Sequence, residues 1–227
     1  MFIGHYSAAL AAASSPRAPR LGVLFVGAQL VDLGFFSLMI AGVEKMRFEP
    51  GATVMNPMDL YFMPYTHSLI GSLLWAAGFG LLVWAATRRT AAGLIAAAVV
   101  FSHWLLDFVT HRPDLALPNG DKVGLGLWNH PTIEMPLEIG LTLGGLWLFL
   151  RATQPATPAG RWSWAVLLVA LLCMQAVNWF GPVAPEVTVA TGAEALFAYV
   201  LAIALGWWVA KGRRFRGGAA AAWPTPT

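Results

Sequence analysis

Charge is what this sequence has least of. Asp, Glu, Lys and Arg make up only 11% of its 227 residues, against roughly 25% in a soluble globular domain. That scarcity excludes a nucleic-acid binder, although the net charge is +3. Cysteine is nearly absent too. Cys173 stands alone inside the apolar run LLVALLCMQAV, which excludes a disulfide framework and a cysteine-based zinc site. The opening stretch MFIGHYSAALAAASS holds no Lys or Arg, so it lacks the basic start of a cleavable signal peptide. There is no internal repeat and no pair of Gly/Pro-interrupted helices, which argues against a small transporter built from duplicated halves.

What the chain has is apolar length. Hydrophobic residues make up 58% of it. Six segments reach the roughly 20 apolar residues that a bilayer crossing needs: 21–43, 66–87, 90–111, 132–151, 162–181 and 191–210. A seventh, from Phe2 to Ala13, rises only about 18 Å at 1.5 Å per residue, too little to span. The expected fold is therefore all-α, a polytopic transmembrane bundle of six long helices plus a short N-terminal one. It forms a single domain over 1–216, followed by a low-complexity, disordered tail over 217–227.

Orientation follows from the basic residues, which concentrate on the cytoplasmic side. If the 21–43 segment starts in the cytoplasm, that side receives Arg17, Arg20, Arg88, Arg89, Arg151, Arg161, Lys211, Arg213, Arg214 and Arg216. The other side receives Lys45, Arg47, Arg112 and Lys122, a bias of ten to four. The expected location is a membrane crossed several times, with the C-terminus cytoplasmic.

Ionisable residues inside a bilayer are costly and are functional candidates by default. Asp32 lies near the middle of its segment, and His67 opens the next one. In FSHWLLDFVTHRPDL, His103 and Asp107 are four residues apart, so they share one helix face and can serve one metal. A short first helix entering start-outward brings His5 to the same depth, facing Asp32 and His103. The small residues Ser7, Ala8, Ala11 and Ala12 suit it to tight packing. The bland reading is that His103 simply donates to Asp107 in a packed core. His111 continues the stripe but precedes Arg112-Pro113, where the helix must stop, and reads as a cap. His130, before Pro131, reads as a turn residue. Glu134 suits a helix N-terminus, and Glu138, a turn deeper, is a candidate site acid. Thr191 and Glu194 read as a capping box. Glu44, Glu49 and Asp59 read as solvated loop acids.

Taken in order, GHYSAALAAAS, AQLVDLGFF, YTHSLIGSLLW and FSHWLLDFVTHRPDLAL resemble the bacterial inner-membrane metal-dependent hydrolases of the YdjM-like group. The resemblance covers roughly residues 1–130 and places His5, Asp32, His67 and the pair His103 and Asp107 in the four motifs. VDLGF lacks the proline, second acid and histidine of the second motif, which argues against a two-metal centre. The resemblance implies a metal-dependent hydrolase; three protein ligands leave a position for a metal-bound water, and a site reached from the membrane implies a lipid or amphiphilic substrate. The expected metal ligands are His67, His103 and Asp107, joined by Asp32 and His5. Such a set suits zinc, and also iron or manganese. Asp32 or Glu138 is the expected general base. The alternative is a non-enzymatic membrane protein in which the same cluster only fixes helix packing.

Overall fold

A computed structural model describes residues 1–218. Seven α-helices carry the described chain: α1 (His5–Ala12), α2 (Leu21–Ile40), α3 (Leu69–Thr87), α4 (Thr90–Thr110), α5 (Pro131–Ala152), α6 (Ser163–Phe180) and α7 (Val189–Gly212). The six from α2 to α7 are each long and apolar enough to cross a membrane. The chain is thus an all-α bundle and a multi-pass membrane protein. Its outward face agrees with that, since Leu74, Leu82, Leu94, Phe180 and Phe197 are all well exposed, the pattern of helices that meet lipid rather than water. The residues expected to begin a disordered tail, 217 and 218, lie in a short 3-10 turn over Arg216–Gly218; 219–227 are outside the described residues.

The helix ends follow local chemistry. Ser68 caps α3 by accepting from the Gly71 amide at 2.9 Å. Arg88 then takes a left-handed conformation (φ 56°) and turns the chain straight into α4. These two helices pack closely, for a Cβ on Gly80 would sit 2.8 Å from that of Ala97; small residues permit such an approach. Pro131 opens α5, a position whose missing N–H costs nothing. The capping box at α7 lies one turn earlier than expected. Thr188 is the N-cap and Thr191 returns the bond, so Glu194 is not part of it and stands exposed.

The short α1 is buried within the bundle and runs alongside α5, with Gly4 against Glu138 and Ser7 against Gly145. Ile3, Tyr6 and Leu10 join Leu24, Phe25, Leu167 and Leu171 in the principal core. Where α1 ends, Ser14 Oγ donates to the Ala11 carbonyl at 2.6 Å, answering one of the carbonyls that a helix terminus orphans.

Short strands close both ends. At one end β1 (Lys45–Phe48) pairs antiparallel with β2 (Met58–Phe62), and β3 (Leu115–Ala116) with β4 (Lys122–Val123). At the other, β5 (Thr153–Pro155) pairs with β6 (Arg213–Phe215). There the Arg213 guanidinium donates to Thr153 Oγ1 at 3.0 Å and to the Gly160 carbonyl at 2.8 Å.

Candidate metal centre

The polar residues that the sequence scatters over four segments meet under the β1–β2 end. Asp107 is the hub. Its Oδ2 lies 3.1 Å from His103 Nε2 and 3.6 Å from His67 Nε2. Its Oδ1 lies 3.1 Å from His5 Nε2 and 3.6 Å from His111 Nε2. Asp32 Oδ1 approaches His67 Nε2 at 3.3 Å and His103 Nε2 at 3.5 Å. His5 reaches the cluster by stacking on His103, ring centres 3.6 Å apart, so it faces His103 and Asp107, and no ion pair joins it to Asp32 among the described residues. His5, His67, His103 and Asp107 are buried.

Three of the four imidazoles are oriented by what they hold on Nδ1, whereas His5 Nδ1 has no partner among the described residues. His103 Nδ1 is 2.8 Å from the Ala28 carbonyl, which can only accept, so Nδ1 carries a proton and Nε2 is the nitrogen turned to the carboxylates. His67 Nδ1 is 2.8 Å from Thr66 Oγ1. That hydroxyl donates its one hydrogen to Glu44 Oε2 at 2.6 Å, so it accepts from His67 and fixes the same tautomer. Glu44 in turn accepts from the Tyr65 and Thr66 amides at 2.8 and 3.0 Å. His111 Nδ1 meets Asp114 Oδ1 at 2.9 Å. Acceptors held on the far ring nitrogen in this way are the usual outer layer around metal-ligating histidines.

Three sequence expectations need correction here. Glu44 is buried rather than solvated, because it leaves α2 directly beneath the backbone of Tyr65 and Thr66. Asp59 is buried as well, held by the guanidinium groups of Arg47 and Arg112; only Glu49 is exposed. His111 does cap α4, its amide donating to the Asp107 carbonyl at 2.7 Å, yet its ring is buried against Trp128 and turned to Asp107. Nothing in the spacing separates these two roles, since both follow from the end of the stripe. His130 is exposed ahead of Pro131.

Glu138 serves the first helix. Its Oε1 accepts from the Phe2 and Gly4 amides at 2.5 and 2.9 Å, and its Oε2 from Gln175 Nε2 at 3.1 Å. No ion pair or hydrogen bond joins it to the histidines among the described residues. Gln175 also accepts from the Ile3 amide at 3.3 Å. Glu134, one turn earlier, is fully buried.

The donor set fits a divalent cation. His5, His103 and Asp107 form one group of converging ligand atoms, and Asp32, His67 and His103 a second. Ligands held tetrahedrally at 2.0–2.2 Å stand about 3.4 Å apart, and the carboxylate–imidazole distances above run from 3.1 to 3.6 Å. Within the protein, His103 Nε2 and Asp107 Oδ2 have no hydrogen-bond partner although they are buried, and buried polar atoms are rarely left so. Asp32, His67, Asp107 and His111 border a cavity of about 470 Å³ that continues between Met55 and Met58 of the β1–β2 hairpin and the facing ends of α6 and α7. No family model, no curated protein and no solved structure matches the chain.

Proposed function

We propose that the protein is a membrane-embedded, metal-dependent hydrolase related to the YdjM-like group, acting on a lipid or another amphiphile. The observation that supports this most is the concerted aim of the imidazoles. His67 and His103 each hold a backing acceptor on Nδ1 and turn Nε2 toward the Asp32 and Asp107 carboxylates.

His67, His103 and Asp107 would hold the cation, with His5 and Asp32 beside them. Zinc suits this mixture of imidazole and carboxylate. A cation there supplies Lewis acidity, lowering the pKa of a coordinated water and polarising a carbonyl or phosphoryl oxygen. The remaining work belongs to the chain. Asp32 is the most accessible of the carboxylates in the cluster, with a side chain 13% exposed against 2% for Asp107. One oxygen faces the histidines and the carboxylate borders the cavity, so Asp32 takes the proton of the attacking water and returns it to the leaving group. Glu138 holds the segment that carries His5. The apolar walls of the cavity exclude bulk water and seat the hydrophobic part of the substrate. The bias of the basic residues supports a cytoplasmic C-terminus and a centre near the opposite leaflet, and the resemblance to the YdjM-like group supports a bacterial inner membrane.

Metal analysis of detergent-purified protein tests the reading. Wild type should carry about one equivalent of a divalent ion, and His103→Ala should lose it. Metal-free wild type, purified without chelators, would leave only a hydrogen-bonded packing network.

A further inference from the structure

We infer that Tyr199 is a positioning residue of this site. Its phenolic hydroxyl donates to the Asp32 carboxylate, so that one oxygen stays turned to the histidines and the other to the cavity. The inference rests on the proposed place of Asp32 beside a cation. Two observations bring Tyr199 to Asp32. Among the buried residues of α7, which are otherwise Gly192, Ala202, Gly206, Val209 and Gly212, only Tyr199 carries a polar side-chain group. The register of α7 on α2 is set by close approaches: Trp207 lies against Gly22, Phe25 against Gly206 and Ile40 against Gly192. The two helices are thus antiparallel, and on that register the α7 residue opposite Asp32 is Tyr199.

The ring is held from two sides. Its centre is 5.7 Å from that of Phe2 and 5.9 Å from that of Phe36. Its hydroxyl faces Asp32, and both residues border the cavity. A buried phenol usually finds a hydrogen-bond partner, and a bond to a carboxylate is among the stronger ones. Asp32 Oδ1 is already turned to His67 and His103, at 3.3 and 3.5 Å. A phenol engaged with the second oxygen stops the carboxylate from rotating about its terminal bond. It takes one lone pair of that oxygen and leaves another, so Asp32 keeps an acceptor for the proton of the attacking water. Tyr199 acts through Asp32, not on the substrate.

The experiment is a double-mutant cycle on zinc affinity, read by chelator competition with the full chain in detergent. Tyr199→Phe keeps the ring between Phe2 and Phe36 and removes only the hydroxyl. It should weaken zinc binding about tenfold, the lower end of the usual loss when an outer partner of a metal site is removed. In an Asp32→Asn background, which retains His67, His103 and Asp107, the same change should alter affinity by less than about twofold, because the coupled partner is gone. A role confined to packing would weaken both backgrounds alike. The visible spectrum of bound cobalt is a second readout, and its bands should shift in Tyr199→Phe as Asp32 is freed to turn. Zinc bound by Tyr199→Phe as tightly as by wild type, or an equal loss in both backgrounds, overturns the inference and leaves the hydrolase standing. Should Asp32→Asn bind no zinc, the cobalt spectrum decides, and unchanged bands in Tyr199→Phe overturn the inference. Wild type that takes up neither zinc nor cobalt sinks the hydrolase, and this inference with it.

Discussion

Thr66→Val removes one oxygen from the relay that aims His67. Valine keeps the branched shape at Cβ, so packing changes little, but the acceptor 2.8 Å from His67 Nδ1 and the donor 2.6 Å from Glu44 Oε2 both disappear. His67 is then free to rotate or to change tautomer, and its Nε2 no longer faces Asp32 and Asp107 by default. Removing such a partner of a ligating histidine costs about 10–100-fold in metal affinity, or roughly 1.4–2.7 kcal/mol. Glu44 stays buried and keeps its two amide donors. Loss of its hydroxyl donor removes a bond to a charged group, worth about 1.5–3 kcal/mol of stability, so a drop in Tm accompanies the change. Thr66→Ser restores both hydrogen bonds and serves as the rescue. Affinity is read by competition with a zinc chelator in detergent, and stability separately by thermal unfolding. The reasoning is refuted if Thr66→Val binds zinc as wild type does, or if the serine variant is as weak as the valine one.

Two further predictions test the frame around the site. Reporter fusions at residue 216 and within 112–130 should report opposite sides of the membrane, and both on one side would overturn the orientation. Gly160→Ala should lower the thermal midpoint sharply, because a Cβ there would lie 1.7 Å from the Gly212 carbonyl, an overlap beyond the usual overpacking cost of about 1–3 kcal/mol. Gly78→Ala, exposed in mid-helix with nothing within 4 Å of the added carbon, should be neutral or stabilising by about 0.5–1 kcal/mol in the same melt.

The parts legible in the sequence were those set by short-range pattern. Six spans follow from apolar length, and their ends fall within about three residues of the helices because Ser68, Pro131 and Arg89-Thr90 punctuate them locally. The His103–Asp107 pair is a matter of helical spacing. Burial of Glu44 is not, because it depends on a backbone 22 residues away folding over the carboxylate. Asp59 is hidden for a similar reason, its partner Arg112 lying 53 residues on. The capping box was misplaced because Thr188 and Thr191 offer two overlapping starts, and only the actual first turn of α7 chooses between them. Glu138 looked like a reacting acid because the sequence cannot reveal that two amides of residues 2 and 4 would occupy it.

The bonds from Glu138 and Gln175 to residues 2–4 also set an order of assembly during biosynthesis. α1 is synthesised before the helices that receive it, and its eight residues are too few to insert as a span of their own. The surfaces that receive it arrive with α4, α5 and α6, more than a hundred residues later in translation. The leading segment must therefore wait at the membrane while the longer helices insert, and its docking is a late, long-range closure. Assembly of the histidine cluster is thereby tied to late synthesis: in a chain stalled before residue 175 the segment carrying α1 has no full berth, and His5 joins the other histidines only once nearly the whole bundle is in place.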